Sequence, residues 1–232
     1  MAQPLTTDPM NRSLPAPPRG VARDFILARL GSLLAFLPLG VWTTVHLFNQ
    51  LAAYQSPEAW QASVTGHSSP AAMALTFAVV LGPLLWHTAW GIGRMFKSRP
   101  NVRIGWFSNL RYILQRLSAA GLLLFIGAHL YLAWFEPRIL QGRPEPFAEI
   151  SQQMHFHPPT LAVYILGVLG IAYHLANGLW SFLTMGWGVT VSKAGIGWME
   201  KVSLLAFVVL LAVGWAAIYG LYAGGAVYGP PA

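Results

Sequence analysis

Apolar residues fall in five blocks of membrane length, without the two-residue alternation of half-buried strands. The blocks run Phe25 to Leu51, Ala71 to Phe96, Arg111 to Phe135, Thr160 to Met185 and Lys201 to Tyr222. Each is long enough to cross a hydrocarbon core of about 30 Å as a helix. Pro38 lies inside the first block, which is expected to kink there, and Pro83 lies inside the second, four residues before His87. Membrane helices tolerate a kink where neighbours satisfy the freed carbonyls. The first twenty residues are polar and rich in proline, with no apolar core or small-residue cleavage site, and read as a tail and not a signal peptide. The pattern predicts one all-α membrane domain over residues 25–222. A disordered cytoplasmic tail (1–24) precedes it and a short outer tail (223–232) follows.

Composition supports that reading. Of 232 residues, 55% are hydrophobic and only 9% charged, far too few charges for a soluble domain of this length. The chain has no cysteine, which excludes disulfides, thiolate metal sites and covalent haem attachment through C-x-x-C-H. The formal charge of +7 does not signal nucleic acid, because the basic residues sit at the ends of the apolar blocks and not beside solvent-facing aromatics. Arg94, Lys97, Arg99, Arg103, Arg111 and Arg116 mark the connection between blocks two and three, and Arg12, Arg19, Arg23 and Arg29 the N-terminal end. Lys193 and Lys201 lie between blocks four and five. The opposite side carries Arg138 and Arg143 among Glu136, Glu145 and Glu149. The positive-inside rule puts the N-terminus in the cytoplasm and, with five spans, the C-terminus outside, as in a bacterial inner membrane. Lipid contact alone accounts for the basic residues; a soluble partner on that face is the sharper alternative.

Ionisable groups within such blocks are costly and point to function. Four blocks each hold one histidine: His46, His87, His129 and His174. His87 lies seven residues before Arg94, roughly 10 Å from the cytoplasmic end of its helix. His174 lies fifteen residues after Pro159, roughly 22 Å from the outer end. His46 and His129 fall in the outer halves of their helices. Two layers result, His87 with His174 inside and His46 with His129 outside, each drawing on two helices. Paired imidazoles on facing helices suit the two axial positions of haem. Gly91 and Gly178 stand four residues after the inner histidines, Gly170 four before His174, and Ala133 four after His129, where small residues let a flat ring approach. Trp42 and Phe125 stand four before the outer histidines and could stack on a ring. For a single buried histidine, packing against a neighbouring helix is the simpler reading, as helix packing is for a single glycine; the layered pairing favours ligation. A transition-metal transport site would more often add Asp, Glu or Met and would not split into layers. His67, His155 and His157 read as exposed residues of the outer loops.

The stretches SLLAFLPLGVWTTVHL, LGPLLWHTAWGI, WFSNLRYILQRLSAAG and YILGVLGIAYHLANGLWSFLTMGWGVTVS carry a resemblance. Together they are similar to the five-helix, dihaem cytochrome b anchor of succinate:menaquinone oxidoreductases and quinol:fumarate reductases. The likeness spans nearly the whole membrane portion; HLANGLW with its following aromatic-Gly turn is its most specific part. It implies a proximal haem b held by His87 and His174 and a distal haem b held by His46 and His129. It also implies flavoprotein and iron–sulfur subunits on the cytoplasmic face, docked at the basic loop from Arg94 to Arg116. Electrons from succinate would then pass to a membrane quinone, expected to be menaquinone. Arg29, Ser32, Arg111, Gln115 and Arg116 become candidates for haem propionate contacts, since Arg and hydroxyl donors at the membrane edge suit carboxylates. Glu58 and His67 are candidates for an outer quinone site.

Some family members carry a glutamate near the inner ligand on the fourth helix, whereas this chain has Ile171, Ala172 and Tyr173 there. A proton path through such a carboxylate is not expected, and succinate oxidation is the expected direction. The chain offers no nucleophile, acid–base pair or phosphate loop, so the succinate chemistry must belong to partners. Alternatives are a b-type cytochrome of another quinone-linked dehydrogenase, such as a hydrogenase or formate dehydrogenase, and a non-redox membrane protein whose histidines only pack.

Overall fold

The structure is a computed structural model that describes residues 20–66, 69–97 and 107–230. Among them are five helices of membrane length: α1 (Arg23–Tyr54), α3 (Pro70–Lys97), α4 (Phe107–Leu140), α6 (Pro158–Gly186) and α7 (Lys193–Gly225). Two short helices sit in the connections, α2 (Pro57–Trp60) between α1 and α3 and α5 (Phe147–Phe156) between α4 and α6, at the end of the bundle read above as outer. The expected all-α architecture and five spans are present. His67, Arg12, Arg19, Arg99 and Arg103 lie outside the described residues.

The prolines coincide with local changes of helix geometry. The backbone of α1 widens to a π-helical turn over Ala35–Gly40 around Pro38, and α3 does so over Phe77–Leu81 just before Pro83. A missing N–H and a ring that crowds the preceding turn favour such local widening. α4 widens too, over Tyr131–Leu140 around Pro137.

α6 is the central helix, packed against α7 on one side and α4 on the other. The α6–α7 seam is made of small residues, with Ala172, Ala176, Gly214 and Ala217 buried, as close backbone approach between membrane helices requires. Ser203 donates to the Ala176 carbonyl across it at 2.8 Å. α1 packs on α3 and on the outer half of α7. By contrast, α3 does not pack closely on α6, nor α1 on α4. Large apolar side chains face outward along the bundle, Leu85 at 71% and Leu124 at 77% exposure, as a lipid-facing surface demands.

Several features depart from the sequence reading; α4, for one, runs Phe107–Leu140 and not Arg111 to Phe135. α7 starts at Lys193, not Lys201, because Ser192 caps it by accepting from the Gly195 N–H. It also runs on to Gly225, beyond the expected end of the domain. The outer connections are not open loops: Trp60 (2% exposed) and Met154 (0%) are fully buried in a cluster with Phe147, Ile150 and Leu221. His155, expected to be exposed, is half-buried there, stacked on Tyr222 at 4.5 Å and bonded to the Tyr222 carbonyl at 2.8 Å. His157 is exposed as expected and bonds Thr160 at 2.8 Å.

Candidate functional site

The two gaps in backbone packing are the places where the histidines meet. His87 of α3 faces His174 of α6 with ring centroids 6.2 Å apart and planes at 76°. His46 of α1 faces His129 of α4 at 6.1 Å and 65°. The pairs are those expected from depth. An imidazole nitrogen bonds a first-row metal at about 2 Å and its ring centre lies about 1 Å further, so two imidazoles on opposite sides of one iron have centroids about 6 Å apart. Both pairs stand at that spacing. Among the described residues no three His, Asp, Glu or Cys side chains gather as a metal site, so the donor set is two separate pairs.

The surroundings of the inner pair fit a flat macrocycle. A Cβ added at Gly91 or Gly178 would meet nothing within 4 Å, so the space beside each histidine's helix turn is open. Gly170 is different: it packs on Leu122 of α4 and serves helix contact. His87 Nδ1 is buried without a hydrogen-bond partner.

His174 is held from α4. Its Nδ1 lies 3.2 Å from Ser118 Oγ and 3.2 Å from Gln115 Nε2. Ser118 donates its own proton to the Gln115 backbone carbonyl (2.9 Å), so toward a protonated Nδ1 its oxygen can accept. The Gln115 amide nitrogen is a donor and bonds the His174 carbonyl at 3.2 Å, while its oxygen accepts from Asn177 Nδ2 at 2.8 Å. A proton on Nδ1 would be met by the Ser118 oxygen and would leave the Nε2 lone pair for a metal, whereas the Gln115 amide nitrogen, itself a donor, suits an unprotonated Nδ1. The chain continues outward: Arg111 Nε donates to Asn177 Oδ1 (3.0 Å), and Arg111 pairs with Glu200 at 3.3 Å and stacks over Trp180 at 3.9 Å.

The outer pair is framed by aromatics. Trp42 stacks on His46 (4.7 Å, 8°) and Phe125 on His129 (5.7 Å, 17°), so the residues expected to cover a bound ring instead lie on the imidazoles. The Phe125 ring fills the space where Gly167 lacks a side chain. His129 Nδ1 contacts the Tyr164 hydroxyl at 3.1 Å. Gln50, one turn after His46, accepts from the buried Trp60 indole at 2.7 Å and turns its amide nitrogen to His46 Nε2 at 3.3 Å. Beyond this layer, burial pushes the Glu145 carboxyl up to about 8, aided by Glu149 and Glu136 and opposed by Arg138.

The propionate candidates do not form one group. Arg111 and Gln115 join the His174 network. Ser32 donates to the Arg29 carbonyl within α1 at 2.9 Å, Arg29 lies over Phe25 at 4.6 Å, and Arg116 lies over Tyr112 at 4.4 Å. Glu58 is exposed in the first turn of α2, where backbone N–H and Ser56 lower its carboxyl pKa. Sequence reasoning missed Ser118, Asn177, Tyr164 and Gln50. Asn177 and Gln50 were visible as polar residues one turn after a buried histidine; Ser118 and Tyr164 reach theirs from another helix and leave no local trace.

No protein-family model matches the chain. A curated relative does: the succinate dehydrogenase cytochrome b558 subunit of Bacillus subtilis (strain 168) is 32% identical over 200 residues, spanning 85% of this chain and 96% of the relative. The chain belongs to the succinate dehydrogenase cytochrome b558 subunit family. The match covers nearly the whole relative, so it applies to the bundle as a whole and not to one helix. The family resemblance read from the four stretches is therefore correct.

Proposed function

We propose that this chain is the membrane-anchoring, electron-transferring cytochrome b subunit of a succinate dehydrogenase, with two haem b groups stacked across the bilayer. The observation that carries this reading is the pair of imidazole–imidazole separations, 6.2 and 6.1 Å, on facing helices of a chain from this family. His87 and His174 would hold the inner group, His46 and His129 the outer one. When bound, each haem supplies a one-electron carrier inside a medium of low dielectric. The residues of the chain do the rest. Ser118 fixes the His174 tautomer, Gln115 and Asn177 brace Ser118 and the ring, and Trp42 and Phe125 fix the outer rings. The lipid-facing apolar surface seals the interior from water.

The polar residues support the topology. The end bearing Arg94, Lys97, Lys193 and Lys201 would face the cytoplasm, with the flavoprotein and iron–sulfur subunits docked at the basic connection between α3 and α4; the end bearing Glu136, Glu145 and Glu149 would face out. A membrane quinone, menaquinone by family likeness, would accept the electrons. Ala172 is fully buried and Tyr173 donates to the Arg111 carbonyl at 3.3 Å, so neither position offers a carboxylate for proton movement beside His174. Succinate oxidation is the direction that fits.

Purification of the complex from membranes tests this. The reading expects two haem b per chain by pyridine haemochrome assay, together with covalent or tightly bound flavin in a co-purifying subunit. A nickel or molybdenum partner would assign the chain to another dehydrogenase, and a chain without an α-band would remove it from redox proteins altogether.

A further inference from the structure

At the basic end of the bundle a cleft of about 630 Å³ opens between α4, α6 and α7. Its walls are divided. Toward the bilayer centre they are apolar, with Leu114, Leu204 and Phe207; at the membrane edge they carry Arg111, Lys193, Lys201 and one acid, Glu200. Three cations against one carboxylate leave the edge positive. Glu200 is committed to Arg111 at 3.3 Å. Among the described residues neither lysine has a carboxylate within ion-pair distance, and both are exposed. Lys201 lies beside Trp198, its ammonium 5.6 Å from the ring centroid, and Trp198 is itself 65% exposed, as aromatic side chains at a headgroup boundary are.

We propose that this cleft is a binding site for one anionic phospholipid of the adjacent leaflet. The phosphate would sit between Lys193 and Lys201, and an acyl chain would lie along Leu114, Leu204 and Phe207. Charge selects the occupant. An ammonium group can donate to a neutral quinone carbonyl, but only an anionic phosphodiester also gains the charge–charge attraction of both lysines. The apolar lower wall selects an amphiphile over a free anion. The cleft opens between spans, so a lipid enters sideways from the bilayer. Arg111 belongs both to the cleft and to the hydrogen-bonded chain ending at His174, so the site borders the inner histidine pair without including it.

The test uses the complex with its soluble subunits, delipidated in detergent and re-exposed to mixed micelles of phosphatidylcholine with or without phosphatidylglycerol. Lipid retained per complex is read by native mass spectrometry. Wild type is expected to keep one phosphatidylglycerol. Lys193→Gln/Lys201→Gln is expected to weaken retention on the order of tenfold or more, since each cation near an anionic headgroup contributes on the order of 1 kcal/mol. Arg23→Gln, which removes a cation at the same end outside the cleft, is expected to retain lipid as wild type does. Leu204→Trp, which fills the apolar wall and keeps every charge, is expected to reduce retention as well. Equal retention of phosphatidylcholine, displacement of the lipid by millimolar inorganic phosphate, or unchanged retention in the lysine pair variant would each overturn the proposal. So would a wild-type complex that retains no phospholipid because a soluble subunit covers the cleft.

Discussion

Ser118→Ala removes one oxygen from α4 and leaves the hydrophobic packing of the bundle intact. That oxygen lies 3.2 Å from His174 Nδ1 and donates to the Gln115 backbone carbonyl at 2.9 Å; with haem iron on Nε2, as proposed, it would accept from Nδ1–H. Gln115 cannot replace it without cost. Its nitrogen faces Nδ1, and turning its oxygen there breaks the 2.8 Å bond from Asn177. Leaving a buried donor without a partner costs about 1–3 kcal/mol. Loss of an outer hydrogen bond to a metal-bound histidine typically lowers metal affinity about 10–100-fold, which agrees in size. Ser118→Ala should therefore weaken haem retention at the inner pair about tenfold or more and leave the outer pair at wild-type occupancy. Haem transfer from the purified complex to excess apomyoglobin measures this, with the two haems separated by their low-temperature α-bands. Ser118→Thr, which keeps the hydroxyl, should restore retention. If Ser118→Ala releases both haems at equal rates, or neither, in a complex that remains folded, the hydrogen-bond assignment is wrong.

Two further outcomes follow from the outer end. The Glu145 carboxyl titrates near 8 when folded and near 4.5 when exposed, so the folded state holds a proton that the unfolded state releases between those values. Stability of the outer end should fall by about 1.4 kcal/mol for each pH unit rising through that window, and Glu145→Gln should flatten the profile of thermal unfolding against pH. Trp60→Ala deletes a fully buried ring and the donor that orients Gln50. It should cost about 3–5 kcal/mol, seen as a lowered thermal midpoint, while Trp60→Phe, which loses the N–H and keeps most of the volume, should cost less.

The sequence revealed the spans and the pairing of the histidines because both rest on local physics. Five apolar blocks can only be crossings, and the position of each histidine from a charged end sets its depth. His87 and His174 meet as depth required, and so do His46 and His129. The start of α7 was obscured because Lys193, Gly195 and Gly197 resemble a loop until the Ser192 cap is known. α5 was missed because its burial comes from partners far along the chain, Leu221 and Trp60 among them. Gln115 was assigned to haem carboxylates from its position at the membrane edge, whereas its partners in the fold are His174 and Asn177, 59 and 62 residues away. Such contacts are decided by how helices turn toward each other, which a single sequence does not record.

The layered pairing itself is tested most directly by single-ligand variants, His174→Ala and His129→Ala, in the complex extracted from membranes. Haem-to-protein ratio and low-temperature reduced-minus-oxidised spectra are the readouts. Each variant should lose one haem and one α-band component, a different one in each case, with the other retained. Loss of the same component from both variants would show that His174 and His129 serve one centre, and two separate histidine pairs would then have to be abandoned.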